Sequence, residues 1–300
     1  MNQDKTIEIV MATYNGEKYI KEQIESVINQ TYTNWKLLIR DDNSRDKTIE
    51  IIKEYEKKDA RIRLIKDNKG NLGFVKNFEE LIKNSKEEYI MFSDQDDYWL
   101  ENKLEVYHNR LNKLSEDDLK KPLLLHSNSF VCDKNLNIKK NNFIDSRLAS
   151  TKNKGVCFFS YIVQGSTIMI NKKTKNLCIP FMKKVTLHDR YFHLMVEFLG
   201  NRIFINKSLM KYRQHNNNEI GAKSNIIKKI LTKRYFDEND RDLIIEINEK
   251  YKNKISITQL KRIEKYLKIT DRTQNRFKRF FLSLDFSITL KKRFFLLLKG

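Results

Sequence analysis

The sequence predicts an α/β fold in which helices flank a mostly parallel β-sheet, with a helical extension at the C-terminus. Three observations support this prediction. The first hundred residues alternate short apolar runs with amphipathic segments, which is typical of β-α-β units. Polar clusters follow three of the apolar runs directly. From Asn225 to the end, apolar residues recur at helical spacing with few turn signals.

Each element of the first hundred residues has its own local signal. Apolar runs predict four strands, and apolar residues at helical spacing follow each of the first three. The predicted strands are Ile7–Ala12, Trp35–Arg40, Ile62–Ile65 and Tyr89–Phe92. The predicted helices are Glu17–Gln30, a second helix that Asp46 caps, and a third that Leu72-Gly73 opens.

The second half of the chain continues the alternation. The predicted elements are a helix over Leu100–Leu114, strands over Leu123–Cys132 and Val163–Ile170, and a helix over Asp189–Leu199 that its own first residue caps. A soft boundary near Gly221 divides the chain into a domain of residues 1–220 and a basic helical extension of residues 221–300. Within the domain, residues 1–110 form the predicted ligand-binding half and residues 111–220 the other half.

Composition bounds the class of protein. Three hundred residues with 40% hydrophobic side chains suffice for a full core without cross-links. Cys132, Cys157 and Cys178 are odd in number and lack C-x-x-C spacing, so neither a disulfide framework nor a zinc cluster is indicated. The N-terminus lacks the pattern of a signal peptide, and no run approaches the roughly 20 apolar residues that span a bilayer. We therefore expect a cytoplasmic protein.

The net charge of +20 is unevenly distributed. Residues 1–110 carry 19 basic and 22 acidic side chains, whereas residues 111–300 carry 40 basic and 17 acidic ones. An anionic partner of the later segments would explain this pattern, and so would a compositional habit of the proteome, given the many Lys, Asn and Ile residues. Charge alone also suggests a nucleic-acid-binding protein, but acidic strand ends suit phosphate backbones poorly.

An acidic cluster, Asp94-Gln95-Asp96-Asp97, directly follows the fourth predicted strand. Carboxylates this close raise one another's pKa unless a cation neutralises them. Mg²⁺ and Mn²⁺ prefer one or two protein carboxylates together with substrate phosphates, so a metal site is one interpretation. The alternative is that Asp96 or Asp97 caps the helix that follows.

Other polar residues also lie at strand or helix ends, where ligands collect in open α/β sheets. Asp41-Asp42-Asn43-Ser44 is compatible with an Asx-type turn or with hydrogen bonding to a base or ribose. Tyr14 is compatible with stacking on a base or with ordinary packing. Asp189 is compatible with a helix cap, and His215 with an exposed loop.

In combination, these segments resemble a known family. The run MATYNGEKYIKEQIESVINQTY, the strand end DDNS and the segments NLGFVKNF and SDQDDYW are similar to inverting family-two glycosyltransferases of GT-A (Rossmann-like) fold. VQGSTIMIN, LHDRYFHLMVEFLG and YRQHNNN are similar to their rhamnosyltransferase-like branch. The resemblance covers about residues 5–220. Ala12 stands where relatives often have threonine, and His188 replaces a common glutamate, as is usual in this branch.

The resemblance implies a role for each matched residue. The nucleotide-sugar site would comprise Thr13, Tyr14, Asn15, Asp42, Asn71, Asp94 and Gln95, in which Tyr14, Asn15 and Asp42 hold the base and Asp94 lies near the ribose and metal. Asp96 would ligate Mn²⁺ or Mg²⁺ bridging the diphosphate, with His215 as a second metal-site residue that stabilises the departing diphosphate. Asp189 would be the general base that removes a proton from the acceptor hydroxyl.

The expected function is therefore inverting transfer of a hexosyl or deoxyhexosyl group from a nucleoside-diphosphate sugar to a cell-surface glycan or lipid-linked saccharide. The favoured donor is dTDP-rhamnose, with UDP-hexoses as the alternative. The rivals are a nucleic-acid-binding protein and a degenerate transferase that acts as a scaffold. Residues 276–299 hold seven basic residues against Asp285 and suit either an interfacial helix on an anionic membrane or a terminal helix packed on the domain.

Overall fold

The computed structural model describes residues 5–151, 155–215 and 238–286, together with residues 293 and 296. Nine strands of this part of the chain form one sheet: β1 (Ile7–Thr13), β2 (Trp35–Asp41), β3 (Ile62–Leu64), β4 (Tyr89–Ser93), β5 (Tyr98–Trp99), β6 (Leu123–Cys132), β7 (Ile138–Lys140), β8 (Met169–Asn171) and β9 (Asn201–Arg213). Their order is β3-β2-β1-β4-β8-β6-β9-β5, and β7 pairs with β6 at the side of this path.

Helices cover the sheet. Those of the first half are α1 (Ile20–Ile28), α2 (Thr48–Lys58), α3 (Phe74–Asn84), α4 (Lys103–Leu111) and α5 (Glu116–Leu119). The second half contains α6 (Ser146–Ser150), α7 (Val156–Phe159), α8 (Lys172–Cys178) and α9 (His188–Leu199). The C-terminal helices are α10 (Glu238–Tyr251), α11 (Ile257–Thr270) and α12 (Arg276–Leu282). Of the described residues, no helix is long and apolar enough to cross a bilayer.

The first four strands are parallel and bring their carboxyl ends to one edge. β1 pairs with both β2 and β4, and β2 pairs with β3. Thr13 lies opposite Asp41, and Met11 lies opposite Ser93. The residues that follow these strands therefore meet at the same edge of the sheet, where the sequence predicted a ligand site.

The second half of the sheet is mixed. β8 runs antiparallel to β4 and β6, β9 runs parallel to β6, and β5 runs antiparallel to β9. The predicted α/β class is confirmed. The first four strands are parallel, as predicted, but the sheet as a whole is mixed. Pairing of Tyr98 with Lys211 brings the end of β9 next to the acidic cluster that follows β4.

The C-terminal helices share a core with the sheet. Their buried apolar side chains pack into the same cluster as Phe158, Phe192 and Phe198; they include Leu243, Ile244, Ile247, Ile263, Tyr266 and Ile269. The ring of Phe286 lies 5.6 Å from that of Phe158 and 5.1 Å from that of Phe159. The boundary near Gly221 falls outside the described residues and stays a prediction.

Two sequence predictions in the second half need correction. Val163–Ile170 is not one strand, because Gly165–Thr167 forms a 3₁₀ turn before β8. Thr167 stabilises that turn by donating from its Oγ1 to the carbonyl oxygen of Gln164, at 2.7 Å. The helix predicted over Asp189–Leu199 is α9 and begins at His188, with Leu187 at the cap position, so Asp189 lies in the first turn and does not cap it.

Candidate active site

The loop after β1 is tied to the end of β4 by one side chain. Gln95 accepts from the backbone amide of Tyr14 and donates to its carbonyl oxygen, both at 2.9 Å. A Cβ at Gly16 would come within 2.2 Å of the Gln95 Oε1, so any other residue there would require the Gln95 side chain to move. The side-chain amide of Gln95, predicted to bind nucleotide-sugar, is thus engaged with the backbone of Tyr14, a residue that is 46% exposed.

A turn after β2 supports the same loop. The Asx-type turn predicted here is present, since Ser44 donates its amide to Asp41 Oδ2 at 2.7 Å. Thr13 donates its hydroxyl to Asp41 Oδ1 at 2.7 Å. Asn15 has a positive φ of 47° and accepts from the Arg45 amide at 2.9 Å through its Oδ1. Thr13 and Asn15 therefore lie where sequence analysis placed them, at the carboxyl edge of the sheet.

Asp42 is buried, and both of its oxygens accept hydrogen bonds from the chain. Oδ1 accepts from Arg40 at 2.9 Å and from the Leu72 amide at 2.7 Å, and Oδ2 accepts from the Gly73 amide at 2.8 Å. Asn71 donates its side-chain amide to the Asp42 carbonyl oxygen at 3.0 Å. Asp42 and Asn71 thereby fix the turn into α3, and their contact with a nucleotide stays a prediction.

The acidic cluster after β4 does not cap a helix. β5 follows it directly, and the next helix, α4, begins at Lys103 with Asn102 at the cap position. The capping interpretation of Asp96 and Asp97 is therefore wrong. The cluster instead lies at the sheet edge beside the end of β9.

Burial and mutual repulsion raise the pKa of two carboxyl groups of this cluster. Burial, together with the charges of Asp96 and Asp189, raises the pKa of Asp94 to about 7. Burial also raises the pKa of the fully buried Asp97 well above its ordinary value, with Asp96 and Asp94 as further causes. Because such carboxyl groups gain from a cation that replaces their protons, the cluster has the electrostatics of a cation site.

His215 lies at this cluster, and its role as a metal-site residue stays a prediction. Its Nε2 is 2.8 Å from Asp96 Oδ2, and its ring lies 4.7 Å from that of Tyr19. Arg213, two residues earlier, donates to the Asp96 carbonyl oxygen at 2.8 Å and pairs with Glu22. The described residues contain no group of three His, Cys, Asp or Glu side chains already arranged around a metal. One carboxylate and one imidazole fit an ion whose remaining ligands come from a diphosphate.

Sequence analysis missed two residues on α4. Lys103 and Tyr107 are fully buried, and they donate to the carbonyl oxygens of Ser166, at 2.8 Å, and Thr167, at 2.5 Å. They fix the Gly165–Thr167 turn between the acidic cluster and α9. Burial lowers the pKa of Lys103 well below its usual value, while Asp97 and Asp94 oppose that shift. Lys103 and Tyr107 are four positions apart on a helix face that continues to Leu111, and this spacing was the sequence signal that could have indicated their burial.

Asp189 reaches the same site from the other side of that turn. A Cβ at Gly165 would lie 3.7 Å from the Asp189 Cβ and 3.1 Å from the His188 Nε2. Asp189 Oδ1 accepts from the Arg190 amide at 2.6 Å. Burial raises the pKa of Asp189 to about 6, against the lowering effect of that amide. The carboxyl group is thus mostly ionised at neutral pH and has a pKa close to that of an effective general base.

His188 is buried beside Asp189. Its ring stacks on Phe78 at 4.1 Å and also contacts Phe74 and Phe92. Burial lowers the pKa of His188 to about 3, so the imidazole is neutral at physiological pH. It therefore adds no charge next to Asp189.

The chain is similar to known proteins in both sequence and fold. A family model described as glycosyl transferase family 2 matches residues 8–119. A dTDP-rhamnosyl transferase of Shigella flexneri is 31% identical over 231 residues, which cover 71% of this chain and 74% of that protein. A UDP-Glc:α-D-GlcNAc-diphosphoundecaprenol β-1,3-glucosyltransferase of Escherichia coli is 41% identical over 103 residues, 34% of this chain. The chain matches only 40% of that second relative.

Solved structures resemble the whole fold. Staphylococcus aureus TarS in complex with UDP-GlcNAc aligns with a TM-score of 0.63 at 16% identity, over 98% of this chain and 79% of that one. A mannosyltransferase of Pyrobaculum calidifontis in complex with GDP-Man and Mn²⁺ aligns with a TM-score of 0.58 at 12% identity, over 99% of this chain and 80% of that one. At these identities the likeness establishes the GT-A fold.

Proposed function

The chain belongs to glycosyl transferase family 2, and we propose that it transfers a hexosyl or deoxyhexosyl group from a nucleoside-diphosphate sugar to an acceptor hydroxyl with inversion. One observation carries the proposal: Asp94, Asp96 and His215 lie at one edge of the sheet, and Asp189, a carboxylate with the pKa of a base, is near enough for its charge to act on Asp94. Charge neutralisation for a diphosphate and a base for an alcohol are the two needs of this reaction.

In the proposed step, Asp189 takes the proton of the acceptor hydroxyl. The acceptor oxygen forms a bond to the anomeric carbon while the bond from that carbon to the diphosphate oxygen breaks. The nucleoside diphosphate leaves with the bonding electron pair, and the proton remains on Asp189. A single displacement inverts the configuration at the anomeric carbon. The Arg190 amide that donates to Asp189 Oδ1 orients the carboxylate, and the neutral His188 adds no charge of its own beside it.

We propose that Asp96 and His215 hold Mn²⁺ or Mg²⁺ together with the donor diphosphate. The ion would supply neutralisation of the negative charge on the leaving group. The residues present fit it, because the Asp96 carboxylate and the His215 imidazole approach within 2.8 Å at the cluster edge, and neighbouring carboxyl groups are protonated more readily than usual.

The favoured donor is dTDP-rhamnose, and a UDP-hexose is the second candidate. The Shigella flexneri relative, named as a dTDP-rhamnosyl transferase, supports the first and shares 31% identity over 71% of this chain. The Escherichia coli relative, named for UDP-Glc, and the UDP-GlcNAc complex of TarS support the second. The match to the Shigella flexneri relative is longer, so dTDP-rhamnose is placed before a UDP-hexose as the proposed donor.

For the acceptor we propose a saccharide of a cell-surface glycan or one linked to a lipid diphosphate, as in the name of the Escherichia coli relative. We place the reaction in the cytoplasm, at the inner face of the membrane. Three free, buried cysteine thiols suit a reducing compartment. Contact with the membrane through residues 276–299 is part of the same proposal.

The described part of that tail has features of both interpretations made from the sequence. Arg279 is buried and donates to the Ile269 carbonyl oxygen at 2.7 Å, and Phe286 packs on the domain. Phe277, Phe281 and Leu284 are about half exposed or more, on one side of the helical segment. Residues 276–286 carry three basic side chains and one acidic side chain. Residues 287–292, 294–295 and 297–300 lie outside the described part.

We expect the full chain to co-sediment at low salt with vesicles that contain phosphatidylglycerol. Each basic residue near an anionic surface contributes roughly 1 kcal/mol to the free energy of binding, and burial of the exposed aromatic side chains adds to this. Phe277→Ser combined with Phe281→Ser should abolish most of this binding. Ile257→Ser, at a position that is 74% exposed on α11, is the matched control and should leave binding intact. Equal binding by all three proteins, or none by the full chain, would reject the membrane contact.

The transfer proposal itself is tested with a panel of nucleotide sugars and lipid-diphosphate-linked monosaccharides in the presence of Mn²⁺. Mass spectrometry identifies the product, and NMR gives its anomeric configuration. We expect a glycoside of inverted configuration from dTDP-rhamnose or a UDP-hexose. A product of retained configuration would refute the single displacement at Asp189.

A further inference from the structure

The C-terminal helices reach the proposed active site through one buried ion pair. Arg190 Nε lies 3.0 Å from each carboxylate oxygen of Asp240, and Arg190 Nη2 lies 3.0 Å from Oδ2. The side chain of Arg190 is 2% exposed and that of Asp240 is 12% exposed. We propose that Asp240 is a positioning residue that holds the first turn of α9, and with it Asp189, so that α10 belongs to the catalytic unit. This inference rests on the proposed role of Asp189 as the base.

The contacts around this pair join three segments. Arg190 Nη1 donates to the carbonyl oxygen of Cys157, within α7, at 2.5 Å. Tyr161 donates its hydroxyl to Asp240 Oδ2 at 3.2 Å, and its ring centroid lies 4.9 Å from the guanidinium carbon of Arg190. The loop after α7, the start of α9 and the start of α10 therefore meet at the Arg190 guanidinium.

The position of Arg190 also determines the position of the base. The backbone amide of Arg190 donates to Asp189 Oδ1 at 2.6 Å. A rotation of the turn that displaced the guanidinium would displace this amide as well. Misplacement of a reacting group by about 1 Å costs on the order of 100-fold in rate, so a small shift here has a large effect.

A buried guanidinium needs a partner of opposite charge, because removal of one member of a buried pair leaves an uncompensated charge in the interior. Asp240 meets that need from α10, which lies 50 positions further along the chain. The described helix α10 is thus coupled to α9 by charge as well as by the apolar core that α9, α10 and α11 share.

The same pair sets the electrostatic environment of Asp189. The charged groups that act on it are Asp94 at the end of β4, Arg190 on its own helix and Asp240 on α10, while His188 is neutral. Asp240 raises the pKa of Asp189 and Arg190 lowers it. Removal of the Asp240 charge takes away the raising effect and leaves Arg190 uncompensated. Loss of that raising effect lowers the pKa of Asp189 below its value of about 6.

The test compares Asp240→Asn with Asp240→Glu and with Glu246→Gln in the full chain. Glu246 also ties α10 to the chain before α9, since it accepts from the Lys183 and Lys184 amides at 3.0 Å, but it bonds to neither Arg190 nor Asp189. We expect Asp240→Asn to lower kcat about tenfold or more with the donor KM little changed. We also expect it to move the acid limb of the kcat/KM profile to lower pH. Asp240→Glu should lower kcat but keep the acid limb of the parent.

Carboxyl-carbon NMR of protein labelled at aspartate, with Asp189→Asn to assign the signal, measures the same titration without any transfer assay. A protein that lacks transfer activity would therefore refute the proposed function, while the NMR titration would still decide this inference. An unchanged Asp189 titration and kcat in Asp240→Asn, or an equal change in Glu246→Gln, would overturn it. If Asp240→Asn fails to fold, a parental kcat in Asp240→Glu would overturn it instead.

Discussion

Asp189→Asn is expected to lower kcat about 100-fold or more while donor affinity stays within about twofold of the parent, because loss of a general base removes roughly that much rate. The amide oxygen of asparagine can still accept from the Arg190 amide, as Asp189 Oδ1 does at 2.6 Å, so the local geometry is retained. The donor residues predicted from the sequence lie on other elements. Steady-state kinetics with an active donor, together with donor binding by calorimetry, provide the measurement.

The pH dependence of the parent follows from the same group. Since the base must be deprotonated and burial raises the pKa of Asp189 to about 6, kcat/KM should rise with pH through about 6 and level off above it.

Asp59→Asn is the control for Asp189→Asn, because Asp59 precedes β3 at the opposite edge of the sheet and pairs with Arg61. Near-normal turnover of Asp189→Asn would return Asp189 to a structural role.

Asp96→Asn is expected to abolish the metal-dependent part of nucleotide affinity. An amide supplies a neutral oxygen where a carboxylate is needed to offset divalent charge. The substituted side chain can still hydrogen bond to His215, whose Nε2 lies 2.8 Å from Asp96 Oδ2, so the fold around it should survive. Calorimetric titration of dTDP and UDP with and without Mn²⁺ measures the effect.

The same Asp59→Asn control applies to the metal site, where it should leave the manganese enhancement of nucleotide binding unchanged. Circular dichroism of Asp96→Asn verifies that the protein is folded. If Asp96→Asn bound dTDP or UDP with Mn²⁺ as tightly as the parent does, Asp96 would not be a metal ligand.

Sequence alone could predict the first half of the fold because buried parallel strands are nearly continuous apolar runs. β1, β2 and β4 were predicted to within one residue at each end. β9 was missed, since its apolar run is interrupted by Asn206, Lys207 and Ser208, where its register with β6 shifts. Val163–Ile170 was mistaken for a strand because its apolar residues hid the turn at Gly165.

The candidate site was predictable to a similar extent. The acidic cluster, His215 and Asp189 are polar residues at strand or helix ends, and the structure brings them together. Lys103 was not predicted, because a lysine on a helix is normally exposed and its burial depends on tertiary contacts with Ser166. Arg190 and Asp240 were missed for a related reason, since their pairing joins positions 50 residues apart.

The most direct test of the account is the melting temperature of the full chain with nucleotide sugars, with and without Mn²⁺. Ligand at about 100 times its Kd stabilises the folded state by roughly 2.7 kcal/mol, which corresponds to a rise of several degrees for a protein of this size. We predict this rise for dTDP-rhamnose or a UDP-hexose only when Mn²⁺ is present, and its loss in Asp96→Asn. The proposed transferase function would be refuted if no nucleotide sugar raised the melting temperature with Mn²⁺ while a single-stranded oligonucleotide did.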